Sequence, residues 1–153
     1  NLIGHGTALI ENTTVYSKNF ITLRSDYGST WNGDIVIRNC KYIPLNGEKC
    51  DAVLIGGSNN GSHDFGYECY LPRIVTIDGL EIVDKRPASS PYEGPVVFAN
   101  INSAFNSTSY TAKYPMHMTE KITVKGITVT SGKPLTVSVN KFMFAGLEIT
   151  NAD

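Results

Sequence analysis

One short pattern recurs along this chain and constrains its fold more than any other feature. It reads apolar, any, apolar, any, Asn or Gly, apolar, any, apolar. The copies are Ala8-Leu9-Ile10-Glu11-Asn12-Thr13-Thr14-Val15, Ile35-Val36-Ile37-Arg38-Asn39-Cys40-Lys41-Tyr42, Val75-Thr76-Ile77-Asp78-Gly79-Leu80-Glu81-Ile82, Ile122-Thr123-Val124-Lys125-Gly126-Ile127-Thr128-Val129 and Phe142-Met143-Phe144-Ala145-Gly146-Leu147-Glu148-Ile149. Alternation at period two is the signature of a strand with one face inward. An Asn or Gly in the middle suits a left-handed corner, which other residues resist. Each copy therefore reads as two short strands joined at a sharp bend. Among the inward positions only Thr13 is not apolar, counting Ala8, Cys40 and Tyr42 as apolar.

The outward positions indicate how the copies are arranged. Just before the corner stand Glu11, Arg38, Asp78, Lys125 and Ala145. Charge alternates in sign through the first four. Opposite charges help when they face each other across neighbouring strands. The alternation makes sense only if the copies lie side by side in sequence order. A β-sandwich, the competing all-β arrangement, would not explain it. A third strand follows each of the first four corners, at Phe20-Ile21-Thr22-Leu23, Ala52-Val53-Leu54-Ile55, Val96-Val97-Phe98 and Leu135-Thr136-Val137. Constant strands with variable connections are the mark of a solenoid.

This three-strand coil, with Asn12 and Asn39 at the corner, resembles the right-handed parallel β-helix of the pectate-lyase-like superfamily. The likeness runs from about Thr7 to Thr150. The expected fold is all-β, a right-handed parallel β-helix of about five coils forming a single domain across residues 1–153. Such a scaffold carries many chemistries and some non-enzymes. The resemblance implies a secreted or cell-surface location. The chain starts with Asn rather than Met and shows no helix-like cap at either end. We therefore expect further coils of the same chain or a homo-oligomer.

Composition excludes some partners. Formal net charge is −1, from 13 Lys and Arg against 14 Asp and Glu, which does not suit electrostatic binding of nucleic acid. No apolar run approaches the roughly 18 residues that span a bilayer. No phosphate-binding glycine loop is present, and no cofactor is expected. Cys40 falls on an inward position as a core thiol. Cys50 and Cys69 flank one third strand and are candidates for a disulfide.

Function is expected in the insertions. Long segments follow the third strands at Arg24–Asp34, Gly56–Ile74 and Ala99–Lys121, against only Ser138–Lys141 in the last coil. Three adjacent loops on one edge, with Ile43–Asp51 and Val83–Pro95 on another, would flank a groove. The loops are rich in rings and planar polar groups, which suit sugars. Trp31, Tyr27, Tyr67, Tyr110, Tyr114, His117 and Lys113 are the candidate substrate-binding residues. Each ring has a plainer reading, in which it braces its own loop. Asp26 with Arg24, and Asp64 or Glu68 with His63, are the candidate catalytic groups. A glycosidase needs two carboxyls about 5–10 Å apart. A lyase needs a base and a group that neutralises a uronate carboxylate, roles open to Arg24, Lys113 and His117. The resemblance is incomplete here. The family often places acidic residues on the outward face of the third sheet, where this chain has Thr22, Leu54, Val97 and Thr136. A calcium-dependent lyase or polygalacturonase-type hydrolase is thereby disfavoured, and any active site must come from the loops. His63-Asp64 has no i, i+4 partner and no second His nearby, so no metal site is expected.

The expected function is polysaccharide binding and processing, as a glycoside hydrolase or polysaccharide lyase. The alternative is a non-enzymatic adhesin, tail-fibre or structural surface module.

Overall fold

A computed structural model describes residues 3–17, 19–24, 30–45, 53–58, 67–89, 96–98, 116–117, 119–132 and 147–152. These residues form strands and connecting turns, with no helix among them. The strands are β1 (Ile3–Glu11), β2 (Thr14–Ser17), β3 (Asn19–Arg24), β4 (Thr30–Pro44), β5 (Val53–Ser58), β6 (Cys69–Tyr70), β7 (Ile74–Asp84), β8 (Val96–Phe98), β9 (Met116–His117), β10 (Lys121–Ser131) and β11 (Leu147–Ala152). The largest sheet runs β1-β4-β7-β10-β11, with β2 also on β4; a second runs β3-β5-β8, and β6 pairs β9. Every pairing is parallel.

The register follows the sequence repeat. Ala8 faces Ile35, Ile35 faces Val75, and Val75 faces Ile122. The four corner residues stand in one file. They have positive φ: 54° at Asn12, 52° at Asn39, 77° at Gly79 and 61° at Gly126. Each thus takes the left-handed conformation that Asn and Gly tolerate best. Asn39 Nδ2 donates to Asn12 Oδ1 at 2.8 Å, tying two corners together. Backbone pairing continues round the bend, with Asn12 N donating to the Arg38 carbonyl and Lys41 N to that of Thr13.

The fifth copy is placed differently from the sequence reading. Leu147 faces Ile122, Thr150 faces Lys125 and Ala152 faces Ile127. Asn151 therefore stands opposite Gly126, in the position assigned to Gly146 from sequence. Gly146 itself lies outside the described residues. The strands expected at Phe20–Leu23, Ala52–Ile55 and Val96–Phe98 correspond to β3, β5 and β8. The one at Leu135–Val137 lies outside the described residues.

Inward positions of the middle strands make the core. Ile37, Ile77 and Val124 form one fully buried file, and Cys40, Leu80 and Ile127 form the next beyond the corner. Tyr42 and Ile82 extend it, and Phe20 of the second sheet meets Tyr42 edge-on at 5.7 Å between ring centroids. Burying each such side chain contributes about 1.5–3 kcal/mol. The first strand has a described neighbour on one side only. Its inward Ile10 accordingly remains 36% exposed.

Of the charge ladder, Lys125 Nζ and Asp78 Oδ2 close to 3.1 Å. A second cross-strand pair beyond the corner, Lys41 with Glu81 at 2.8 Å, has no counterpart in the sequence reading. Cys40 and Cys69 are buried free thiols. Cys50 lies outside the described residues. No helix among the described residues is long and apolar enough to cross a membrane.

Candidate functional site

Two of the long loops meet in β6 and β9. The sequence there alternates: Cys69 and Leu71 are buried, while Glu68 is exposed and Tyr70 half-exposed. Cys69 pairs with Met116 and Tyr70 with His117. Leu71 N donates to the His117 carbonyl at 2.8 Å. Tyr70 N donates to Thr30 Oγ1 at 2.8 Å, which anchors β6 to the start of β4. Two apolar side chains turned inward thus leave a fixed set of polar ones turned outward.

That outward set converges. Glu68 Oε2 lies 2.9 Å from His117 Nε2 and accepts the Tyr70 hydroxyl hydrogen at 2.9 Å. The Tyr70 and His117 rings stack with centroids 4.3 Å apart and planes 9° off parallel. Glu68 and His117 are 49 residues apart in sequence. Hydrogen bonds from His117 and then Tyr70 hold the Glu68 carboxyl below its ordinary range; slight desolvation opposes them and the charge of His117 adds to them. The same bond to Glu68, followed by desolvation and the carboxylate charge, raises the Tyr70 phenol.

This arrangement is chemically directional. Glu68 is kept as an acceptor, so His117 carries its proton on Nε2 when it bonds to that carboxylate. In the neutral ring that donates from Nε2, Nδ1 is the atom with a lone pair. Tyr70 fixes the imidazole plane by stacking.

A second group borders the first. The Arg73 guanidinium lies 3.2 Å from Asp34 and 3.6 Å from Glu120. Arg73 N donates to the Gly33 carbonyl, and Glu120 N to that of Arg73. Arg73 thus links the start of β4 to the segments before β7 and β10. Both carboxylates are paired with Arg73, and the Glu120 side chain remains exposed.

The structure brings together Glu68 and His117 from the residues singled out in the sequence. The sequence reading paired Glu68 with His63, whereas the partner seen is His117. Tyr67 is exposed beside Glu68. Trp31 is half-buried, stands opposite Gly4 of β1, and donates from Nε1 to the Asp34 carbonyl at 3.3 Å. A Cβ at Gly4 would come within 2.9 Å of its ring. The ring therefore braces β1. Arg24 ends β3, opposite Ser58. Asp26, Tyr27, His63, Asp64, Tyr110, Lys113 and Tyr114 lie outside the described residues. Sequence reading did not single out Arg73 or Glu120, and it gave Tyr70 no part in the Glu68 group. The available signal was the alternation across Glu68-Cys69-Tyr70-Leu71, which puts Glu68 and Tyr70 on one face. Among the described residues no three His, Cys, Asp or Glu side chains are grouped to hold a metal ion.

In comparisons with protein-family models, curated proteins and solved structures, no match was found.

Proposed function

We propose that this chain is a right-handed parallel β-helix of about five coils, resembling the pectate-lyase-like superfamily, that binds a polysaccharide outside the cell and cleaves it by elimination. The parallel strand order and the file of corners support the fold reading. The convergence of Glu68, Tyr70 and His117 carries the functional one. Glu68 holds and orients the imidazole, and His117 Nδ1 removes the proton on the carbon next to a uronate carboxylate. The electrons form the new C=C bond as the glycosidic C–O bond breaks, and the departing oxygen takes a proton from solvent. Hydrolysis fits less well. It needs a carboxylic acid that stays protonated, and the hydrogen bonds to Glu68 oppose that.

The test is incubation with polygalacturonate and alginate, following unsaturated uronate by absorbance and chain ends by reducing-sugar assay. His117→Gln should abolish product and leave the fold intact. No binding and no product across plant, microbial and host glycans would remove this reading. A non-enzymatic surface module is the second reading. It is favoured by the way Glu68, Tyr70 and His117 satisfy one another, as a brace between two loops would. Glycan binding that survives His117→Gln, with no product from either protein, would select it.

A further inference from the structure

Strand β6 spans only Cys69–Tyr70, so contacts beyond its own sequence must hold it in place. In a parallel ladder successive residues turn their N–H groups to opposite sides. Leu71 N is turned to β9 and donates to the His117 carbonyl at 2.8 Å. The Tyr70 N–H therefore points away from β9. Among the described residues no strand pairs with β6 on that side. A side chain takes the strand's place. Thr30 Oγ1, at the start of β4, accepts the Tyr70 N–H at 2.8 Å from 40 residues earlier in the chain.

That bond lies directly behind the Glu68 group. Tyr70 carries both the ring that stacks on His117, at 4.3 Å between centroids, and the hydroxyl that donates to Glu68 at 2.9 Å. Two hydrogen bonds, one to each side, thus fix the segment from which both contacts are made. The support is itself tied down, since Thr30 pairs with Ile3 and its neighbour Trp31 with Gly4. Thr30 is half-buried. A Tyr70 N–H deprived of its acceptor has to shift toward water to be satisfied.

We propose that Thr30 is a positioning residue of the Glu68–Tyr70–His117 group, its hydroxyl standing in for a strand and setting the Tyr70 ring over the imidazole. Among the described residues no hydrogen bond joins Thr30 to Glu68 or His117, so it acts through Tyr70. Threonine suits the task, because its branched Cβ restricts χ1 and holds Oγ1 in one place. The effect on turnover rests on the elimination reading above; the effect on ring geometry does not.

The experiment compares Thr30→Val, which keeps the shape and removes the acceptor, with Thr30→Ser, which keeps the acceptor. Ring stacking is read by NMR, as the ring-current displacement of the His117 carbon-bound protons, with Tyr70→Leu setting its zero. Thr30→Val should lose most of that displacement and Thr30→Ser should keep it. On polygalacturonate, kcat of Thr30→Val should fall about tenfold with KM unchanged, as when a reacting group is misplaced without loss of substrate binding. Thr30→Ser should restore it. A folded Thr30→Val with the full displacement, or a Thr30→Ser that loses as much as the valine variant, would overturn the proposal. Should Thr30→Val not fold, hydrogen exchange in the unmutated protein decides: the Tyr70 amide should exchange as slowly as that of Leu71, and fast exchange overturns the proposal. Absence of turnover in the unmutated protein removes the elimination reading and leaves the ring displacement to judge Thr30.

Discussion

Position within the stack, rather than residue type, should set the cost of truncating the inward file. Ile10, Ile37, Ile77 and Val124 occupy equivalent places. Ile77 is 0% exposed, with Ile37 on one side and Val124 on the other; Ile10 is 36% exposed. Ile77→Ala removes three carbons from a site whose neighbours are pinned by backbone pairing on both sides and cannot collapse inward. Lost transfer energy and the remaining cavity together should cost about 3–4 kcal/mol, within the usual 2–5 for such changes. A domain is stable by about 5–15 kcal/mol, so this removes a large share. At about 2–4 °C per kcal/mol for a chain of this size, Tm should fall by about 6–16 °C. Ile10→Ala deletes the same atoms where solvent already reaches, and should cost under about 1.5 kcal/mol. Urea denaturation with a common m-value measures both. Equal costs at the two positions would refute the stacked register, because the residue pair differs only in whether a strand lies on each side.

Three further outcomes follow from other contacts. Asp84 is buried beneath Arg86, which donates to it from its backbone N, Nε and Nη2 at 3.0–3.1 Å. Burial raises the Asp84 carboxyl, but the Arg86 hydrogen bonds and charge, with Ser131, outweigh it, so the net shift is downward. A lowered folded pKa gives stability that is full above about 3.9, the unfolded value, and is lost as pH falls through the folded value. Asp84→Ala removes the carboxylate that accepts the Arg86 hydrogen bonds and should cost about 3–5 kcal/mol at neutral pH, a deficit that narrows in urea melts at the acid end. Glu68→Gln should bring the Tyr70 phenol back down toward its ordinary range in an absorbance titration; an unmoved phenol would mean the 2.9 Å bond does not hold in solution. Lys41→Ala should change stability by no more than about 1 kcal/mol despite the 2.8 Å contact to Glu81, since the pair is solvent-exposed; a larger loss by urea denaturation would show that the lysine stem packs over the corner.

Four corners and three second-sheet strands were legible from sequence because repetition multiplies a weak signal. A single Asn between apolar pairs means little, but Asn12, Asn39, Gly79 and Gly126 at matching phase fix one another. The candidate site had no such help. β6 and β9 are two residues each, too short for a period to register. That Glu68 meets His117, 49 residues away, depends on which loop lies over which, and loop composition does not encode that. Trp31 shows the same limit from the other side. Its uniqueness marked it as a ring for ligand, while its opposition to Gly4 follows only from the β1–β4 register.

The misplaced fifth corner has a sharper cause. The pattern overlaps itself at a shift of five residues. Inward places before the corner fall at the first and third positions, and those after it at the sixth and eighth. Leu147 and Ile149 therefore fall on inward positions of the pattern whether the corner is Gly146 or Asn151, and alternation alone cannot choose. Backbone pairing does choose, through Leu147 opposite Ile122 and Thr150 opposite Lys125. The last turn of chain then spans 25 residues from Gly126 to Asn151 instead of the 20 read from sequence. The additional five residues fall in the connection before β11. A repeat with two apolar pairs around one bend fixes which face is inward long before it fixes where the bend falls.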